Sequence, residues 1–216
     1  MSLVTPPDAF GLVNDGVYRS DLLRPAHFGF MRTLNLRTVV VLTPEVPARA
    51  VLNFLEENGI KLGEGDALKL TPAIPAWKRN VTWRPVSDEL IKEGLELILN
   101  EENHPVLIQA GIHETGTFVG CLRKLQGWNF SSIVGEVRMC LDHYTRKYRS
   151  YAGSKARYVN EQYIELFDVD LVTLPKMLPE WFASNLAMLA SDRRWIRKKN
   201  KRTANKKREK ERNQRS

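Results

Sequence analysis

The stretch HPVLIQAGIHETGTFVGCLRKL, residues 104–125, decides the fold. Its apolar run PVLIQ has the length of a strand, and after a turn with one glycine the apolar residues recur at helical spacing. Many α/β proteins build an anion-binding loop from this strand, turn and helix. The turn, however, contains no Cys, Ser, Lys or Arg, and its residues are Gln109, Ala110, Gly111, Ile112, His113 and Glu114. The sequence therefore predicts the scaffold of a phosphate loop without the usual phosphate chemistry.

Strand and helix patterns alternate along the rest of the chain, which favours a parallel sheet with helices on both faces. Strands are predicted at 16–20, 37–42 and 105–109, with weaker signals at 60–62 and 68–70. Helices are predicted at 25–35, 47–58, 87–100, 116–126, 130–144 and 157–168, and an irregular proline-rich loop at 71–86. The predicted fold is α/β, with three α/β/α layers around a central, mostly parallel sheet of 4–5 strands.

The charge of the chain is unevenly distributed. Its 216 residues carry 33 Lys and Arg against 25 Asp and Glu, a formal net charge of +8. Residues 193–216 hold 13 of the basic and 2 of the acidic residues, so this segment carries +11 and residues 1–192 carry −3. We predict a folded domain over 1–175, an amphipathic helix over 176–192 and a basic, largely disordered tail over 193–216.

The tail is expected to bind an acidic surface. RNA, an acidic protein groove, anionic lipid or a nuclear import receptor would each suffice, and a purely solubilising terminus is the alternative. The residues that carry this expectation are Arg193, Arg194, Arg197, Lys198, Lys199, Lys201, Arg202, Lys206, Lys207 and Arg208.

Cysteine content and hydropathy indicate the compartment. Two cysteines, Cys121 and Cys140, are too few for a disulfide framework and favour a reducing environment, in which both are expected to be small buried groups. The start of the chain lacks a signal-peptide pattern, and no apolar run approaches membrane-spanning length. We expect a cytoplasmic protein with no membrane span, with a nuclear or nucleolar location as a second expectation from the tail.

Six short segments resemble the plant-and-fungal atypical dual-specificity phosphatases, the tyrosine phosphatase family of the fungal oxidant-induced cell-cycle-arrest proteins and their inositol-pyrophosphate-cleaving relatives. They occur in the order and spacing of the family: VYRS (17–20), VVVLTPE (39–45), NFLEENGIKL (53–62), HPVLI (104–108), TGTFVGCLRKLQGW (115–128) and EQYIELFD (161–168). The resemblance covers roughly residues 5–168 and implies a cysteine-phosphatase-like fold for the domain predicted over 1–175. This agrees with the order of strands and helices read independently.

The family motif between this strand and helix is H-C-x-x-G-K-x-R-T-G. By the resemblance, its Cys is the thiolate nucleophile and its Arg a bidentate phosphate clamp. Between Ile108 and the shared Thr115-Gly116 this chain has six residues where the family has eight. Ala110 then stands at the Cys position and Glu114 at the Arg position. The degenerate loop, residues 109–116, thus lacks the nucleophile, the clamp and the length that turns backbone N–H groups around an anion.

The remaining loop residues have structural interpretations. Glu114 at a helix start would stabilise the positive end of the helix by about 0.3–1 kcal/mol, and Thr115 is expected to cap the helix. His113 beside Glu114 suggests acid–base catalysis, although a lone His in a turn is more often structural. No metal-ligand spacing surrounds His113, so neither a metal site nor a cofactor is predicted.

Other residues are candidate contacts for a ligand or partner. Arg19 in VYRS matches a family position, and its alternative is an ion pair with the acidic domain. The 71–86 loop mixes basic and aromatic residues that could contact a nucleotide, an inositol phosphate or a protein; they are Trp77, Lys78, Arg79 and Arg84. Alternatively its tryptophans fill the core and its charges are solvated. Trp128 is expected to pack under the turn that ends the helix.

Three hypotheses of function follow. The leading one is a catalytically inactive, phosphatase-like scaffold or regulatory subunit that acts through protein partners, among them paralogous family members. The second is an RNA- or ribosome-associated adaptor that binds through the tail. The third is a tyrosine or inositol-pyrophosphate phosphatase with residual activity in the remodelled pocket.

Overall fold

A five-stranded sheet lies at the centre of the domain. The computed structural model describes residues 4–43, 46–63, 86–147 and 154–191. The strands follow the order β1-β2-β5-β3-β4 across the sheet, with β1 antiparallel to β2 and all other neighbours parallel. They are β1 (Gly11–Asn14), β2 (Val17–Ser20), β3 (Thr38–Val41), β4 (Lys61–Leu62) and β5 (Val106–Gln109). The predicted central, mostly parallel sheet of 4–5 strands is confirmed.

The two middle strands are buried on both faces, as expected for parallel strands covered by helices. Every residue of β3, TVVV, and of β5, VLIQ, is buried. The register places Ser20 and Val41 on either side of Gln109, so three strands end at the same level. Side chains just beyond these ends are therefore brought together at one edge of the sheet.

Helices cover both faces of the sheet. In chain order they are α1 (Phe28–Thr33), α2 (Arg49–Glu57), α3 (Asp88–Ile98), α4 (Ile112–Leu125), α5 (Phe130–Lys147) and α6 (Ser154–Leu166), with 3-10 turns at Pro25–His27, Glu101–Asn103 and Val169–Leu171. The predicted helix cap is confirmed at Ser87, whose hydroxyl accepts a hydrogen bond from the N–H of Leu90 at 3.2 Å.

The side chains of β3 alternate between the two helical layers. Val39 and Val41 belong to the cluster formed with α1 and α2, which includes Met31, Phe54 and Leu55. On the other face, α3 approaches α4 and the end of β3 closely at Gly94, where an added Cβ would lie 2.7 Å from the ring of Phe118 and 3.3 Å from Leu42. The three-layer α/β/α arrangement predicted from the sequence is thus the arrangement of the structure.

Two boundaries differ from prediction. Strand β1 was not predicted, because GLVN is short and buries only Val13. Helix α4 begins at Ile112 and not at Gly116. Only Ala110 and Gly111 separate β5 from α4, so a connection this short leaves no room for a turn before the helix. The signal at 68–70 and the 71–86 loop up to residue 85 lie outside the described residues.

The chain divides into two compact units, Met1–Pro179 and Glu180–Ser216. The described part of the second unit is a helix over 180–191, α7, in which the rings of Trp181 and Phe182 meet edge to face at 5.8 Å. The predicted divisions at 175/176 and 192/193 stay predictions. Across the four described segments, no helix is both long and apolar enough to cross a bilayer.

Candidate active site

A cavity of about 730 Å³ opens at the carboxyl ends of β2 and β5, where α/β proteins commonly bind ligands. We call it the β2–β5 cavity. It is lined by Ala9, Phe10, Arg19, Ser20, Asp21, Ala110, Thr115, Gly116, Trp128, Ser132, Gly135, Glu136 and Met139. The cavity therefore lies at the degenerate loop, residues 109–116.

The floor of the cavity is chemically inert where the family motif has its nucleophile. Ala110 is fully buried and lines the cavity with a methyl group. Gln109 ends β5, and its buried Oε1 atom has no hydrogen-bond partner among the residues that the structure describes. No group at this position can attack phosphorus.

Helix α4 begins with a glycine N-cap and a carboxylate in its first turn. Gly111 occupies the N-cap position, and Glu114 lies in the first turn, with its carboxylate where a Cβ on Gly111 would have to be. A side chain at Gly111 would therefore displace Glu114. No side-chain cap hydrogen bond is formed, so Glu114 is expected to act on the positive helix end through its charge alone.

Thr115 is inside the helix, so the expectation that it caps α4 is wrong. Its Oγ1 donates to the carbonyl oxygen of Gly111 at 2.9 Å and lies 3.3 Å from that of Ala110. Such bonds to the preceding turn are common for Thr in helices. The early helix start moved Thr115 one turn further in than the sequence suggested.

Arg19 and Asp21 bring opposite charges to the opening of the cavity. Arg19 faces Gly11 across β1 and β2, and a Cβ on Gly11 would lie only 3.0 Å from Nε of Arg19. The glycine thus makes room for the guanidinium beside the cavity. Asp21 follows β2 directly, and its Oδ1 accepts the N–H of Leu22 at 2.7 Å.

Cys121 cannot replace the missing nucleophile. Its thiol is fully buried in α4, and burial raises its pKa far above the ordinary range, so it stays protonated. The prediction that Cys121 is a small buried group is confirmed. The side chain of Cys140 lies outside those described.

A buried arginine, which sequence reasoning missed, contacts two residues that line the cavity, Trp128 and Glu136. Arg123, 5% exposed, binds Glu136 through Nε and Nη2 at 2.7 and 2.9 Å. Its guanidinium carbon lies 4.6 Å from the ring centroid of Trp128. Trp128 therefore packs against the last turn of α4, as expected, but its ring is 44% exposed and also lines the cavity. The sequence signal was an arginine among the apolar residues of α4.

The structure brings together only some of the predicted site residues. Arg19, Ala110, Thr115 and Gly116 line one cavity. Glu114 lies in the first turn of α4, next to Thr115 in the sequence, and is not among the lining residues. The side chains of Ile112 and His113 are not described. Four candidate contacts and the basic tail lie outside the described residues: Trp77, Lys78, Arg79, Arg84 and 193–216. Within the described segments, no three His, Cys, Asp or Glu side chains are grouped as metal ligands.

The fold and cavity define an α/β phosphatase-like domain, and comparisons identify its family. A profile described as "Tyrosine phosphatase family" matches residues 4–185. The protein named "Probable tyrosine-protein phosphatase DG1060" of Dictyostelium discoideum is 40% identical over 179 residues, covering 82% of this chain and 95% of that protein. "Inositol diphosphatase DSP3" of Arabidopsis thaliana is 38% identical over 170 residues, covering 77% of this chain and 73% of that protein.

A solved structure agrees. The core catalytic domain of the PP-IP phosphatase SIW14 from S. cerevisiae, in complex with citrate, is 34% identical, with a TM-score of 0.59. The match covers 78% of this chain and 90% of that domain. The chain therefore belongs to the tyrosine phosphatase family, and the resemblance read from its sequence is confirmed.

The comparisons correct the leading hypothesis of function. An inactive scaffold was predicted from the degenerate loop, yet the relatives and solved neighbours are named as inositol diphosphatases and tyrosine or PP-IP phosphatases. They support the hypothesis of residual phosphatase activity instead. The physical reason is that losing Cys and Arg from the loop removes the covalent route but leaves the cavity and Arg19 in place.

Proposed function

We propose that this protein is a phosphatase of low activity that hydrolyses a phosphate monoester or diphosphate in the β2–β5 cavity. The observation that carries the proposal is the persistence of a 730 Å³ cavity with Arg19 at the carboxyl ends of β2 and β5. Relatives named for action on inositol diphosphates and as tyrosine phosphatases support the substrate class.

The reaction proceeds by direct attack of water. Ala110 offers no nucleophile and the Cys121 thiol is buried and protonated, so neither position can form a phosphocysteine. The oxygen of water bonds to phosphorus while the bond from phosphorus to the leaving oxygen breaks. Asp21 takes the proton of the attacking water, and the leaving oxygen is protonated from solvent. Arg19 stabilises the charge on the phosphoryl oxygens.

Low activity is the physical expectation. Without a thiolate, the protein accelerates the reaction by positioning and charge stabilisation alone. A serine protease stripped of its catalytic triad still retains about 10³–10⁴-fold acceleration over water from such effects. Glu114 lies at α4 near the cavity and opposes the anion, which lowers the acceleration further.

The test is phosphate release by the purified chain from a phosphotyrosine peptide and from an inositol diphosphate. We expect slow release that is abolished in Arg19→Met and in Asp21→Asn. Arg138→Met is the matched control, because Arg138 is an exposed arginine paired with Glu161 on α6 and does not line the cavity. Release that is unaffected by Arg19→Met, or absent from the wild type, would refute the proposal.

A second proposal concerns the tail. Residues 193–216 carry +11, and this charge supports binding of a polyanion such as RNA by electrostatic contacts. Deleting residues 193–216 should abolish nucleic-acid binding that weakens steeply with salt, and leave the melting temperature of the domain unchanged. Equal affinity of the full and shortened chains for RNA at low salt would contradict it.

A further inference from the structure

All five N–H donors of the Arg123 side chain are used. Nε donates to Glu136 at 2.7 Å, and Nη2 donates to Glu136 at 2.9 Å and to the carbonyl of Val13 at 2.8 Å. Nη1 donates to the side chains of Asn14 at 2.6 Å and Gln126 at 2.9 Å. No other side chain has five donors in a planar array, so only arginine can make this set.

These bonds fix the guanidinium between three elements. Val13 and Asn14 belong to β1, Arg123 to α4 and Glu136 to α5. A buried, fully bonded guanidinium has little rotational freedom, and the bidentate pair with Glu136 sets the orientation of its plane. Arg123 is therefore a rigid support rather than a mobile surface charge.

Trp128 rests on this support. The guanidinium lies over its ring at 4.6 Å, within the range of a favourable cation–π contact. The ring nevertheless remains 44% exposed and belongs to the cavity wall. One part of the indole is thus covered by protein, while a large apolar surface remains available at the cavity mouth.

The rest of the mouth has similar character. Phe10 and Met139 also line the cavity, and Met139 is 76% exposed. Of the two carboxylates in the wall, that of Glu136 is neutralised by Arg123. A ligand that combines one anionic group with a flat apolar group matches this wall better than one surrounded by phosphates.

We propose that Trp128 is a specificity-determining residue that stacks on an aryl group attached to the phosphate, and that Arg123 is the positioning residue that holds the indole in place. The inference rests on the proposed function only in placing the phosphate in the same cavity. Aromatic stacking of this kind typically changes affinity by about tenfold or more.

Two ligands of similar charge separate stacking from anion binding. Phenyl phosphate carries the aryl group, and inorganic phosphate does not. By calorimetry, we expect the full chain to bind phenyl phosphate about tenfold more tightly. Trp128→Leu should remove this preference with little change in affinity for inorganic phosphate, and Trp128→Phe should restore most of it.

Arg123→Lys tests the positioning role. Lysine keeps the charge but has three donors, so the indole loses its planar support. We expect the indole N–H resonance of Trp128, assigned by its absence in Trp128→Phe, to shift and broaden, and the preference for phenyl phosphate to fall. Arg138 makes a similar two-bond pair with Glu161 at an exposed position, so Arg138→Lys is the control. It should change neither the Trp128 resonance nor the preference for phenyl phosphate.

The outcomes separate this inference from the proposed function. A wild type that prefers phenyl phosphate without hydrolysing any ester would refute the proposed function and leave the stacking role intact. Equal affinity of the wild type for both ligands, no binding of either, or parallel losses for both in Trp128→Leu would overturn the stacking role. If Arg123→Lys does not fold, the tryptophan variants still decide the question.

Discussion

The two ends of helix α4 differ in what they retain. At the N-terminal end, only Ala110 and Gly111 connect β5 to α4. Glu114 occupies the first turn of the helix, at the position where the family motif has an arginine by the resemblance. At the C-terminal end, Phe118, Cys121 and Leu122 are fully buried and Arg123 uses every donor. One helix thus combines an altered loop with an intact packing face.

The difference shows that scaffold and chemistry depend on separate interactions. Packing of α4 against α5 and α6 stabilises the fold whatever the loop contains, since burial of apolar groups does not require a catalytic loop. Changes at the N-terminal end should therefore alter ligand affinity with small effects on stability. Changes to the buried apolar side chains Phe118 and Leu122 should lower stability with small effects on ligand affinity.

The largest expected effect is on stability, from Phe118→Ala. The ring is fully buried and reaches α3 at Gly94, so its removal leaves a cavity that the close-packed helices cannot fill. We expect a loss of about 3–5 kcal/mol, which lowers the melting temperature by about 6–20 °C. Calorimetry measures it, with Leu166→Ala as control because Leu166 is 63% exposed. Equal melting temperatures of the two variants would show that burial of Phe118 on α4 does not stabilise the fold.

A smaller effect is expected from Glu114→Gln, which should lower the stability of the protein and raise its affinity for inorganic phosphate. The variant loses the favourable charge at the helix start and should be less stable by about 0.3–1 kcal/mol. It also loses the repulsion of an anion, so the affinity for inorganic phosphate should rise about two- to tenfold. Titration calorimetry and thermal melts measure both changes. The control is Glu165→Gln, the same change at an exposed position of α6. A fall in phosphate affinity would mean that Glu114 assists the ligand.

The smallest effect is a pH dependence that arises outside α4, at His27. Burial, with a contribution from Arg24, lowers the pKa of His27, and its Nδ1 accepts the N–H of Arg24 at 3.1 Å. The unfolded chain therefore binds the proton more readily, so stability is complete above about pH 6.5 and falls at lower pH. His27→Asn should reduce the fall in melting temperature between pH 7.5 and 5.5. An unchanged fall would assign the pH dependence to other groups.

The central strands could be predicted because strands buried on both faces appear in the sequence as short, uninterrupted apolar runs. TVVV and VLIQ are β-branched or apolar at every core position, and both were placed correctly within a residue or two. Strand β1 could not be found in this way, since it is an edge strand in which only Val13 is buried. The pattern of a half-exposed four-residue strand is indistinguishable from that of a loop.

The cavity wall could not be predicted because it depends on contacts distant in sequence. Arg123 binds Asn14 across a separation of 109 residues, and no local pattern reports such a pair. The start of α4 was misplaced because the helix was expected to begin at the shared Thr115-Gly116 after a six-residue turn, whereas its N-cap is Gly111. The loss of the motif residues, by contrast, could be read directly from the sequence. That observation alone led to the wrong conclusion about activity.

The most direct test of the central claim is phosphate release from a phosphotyrosine peptide before and after treatment of the purified protein with iodoacetamide. Direct attack of water needs no thiolate, and the Cys121 thiol is buried and protonated, so we expect slow release that survives alkylation and is lost in Arg19→Met. Release that disappears on alkylation, or that Arg19→Met leaves unchanged, would contradict hydrolysis in the β2–β5 cavity.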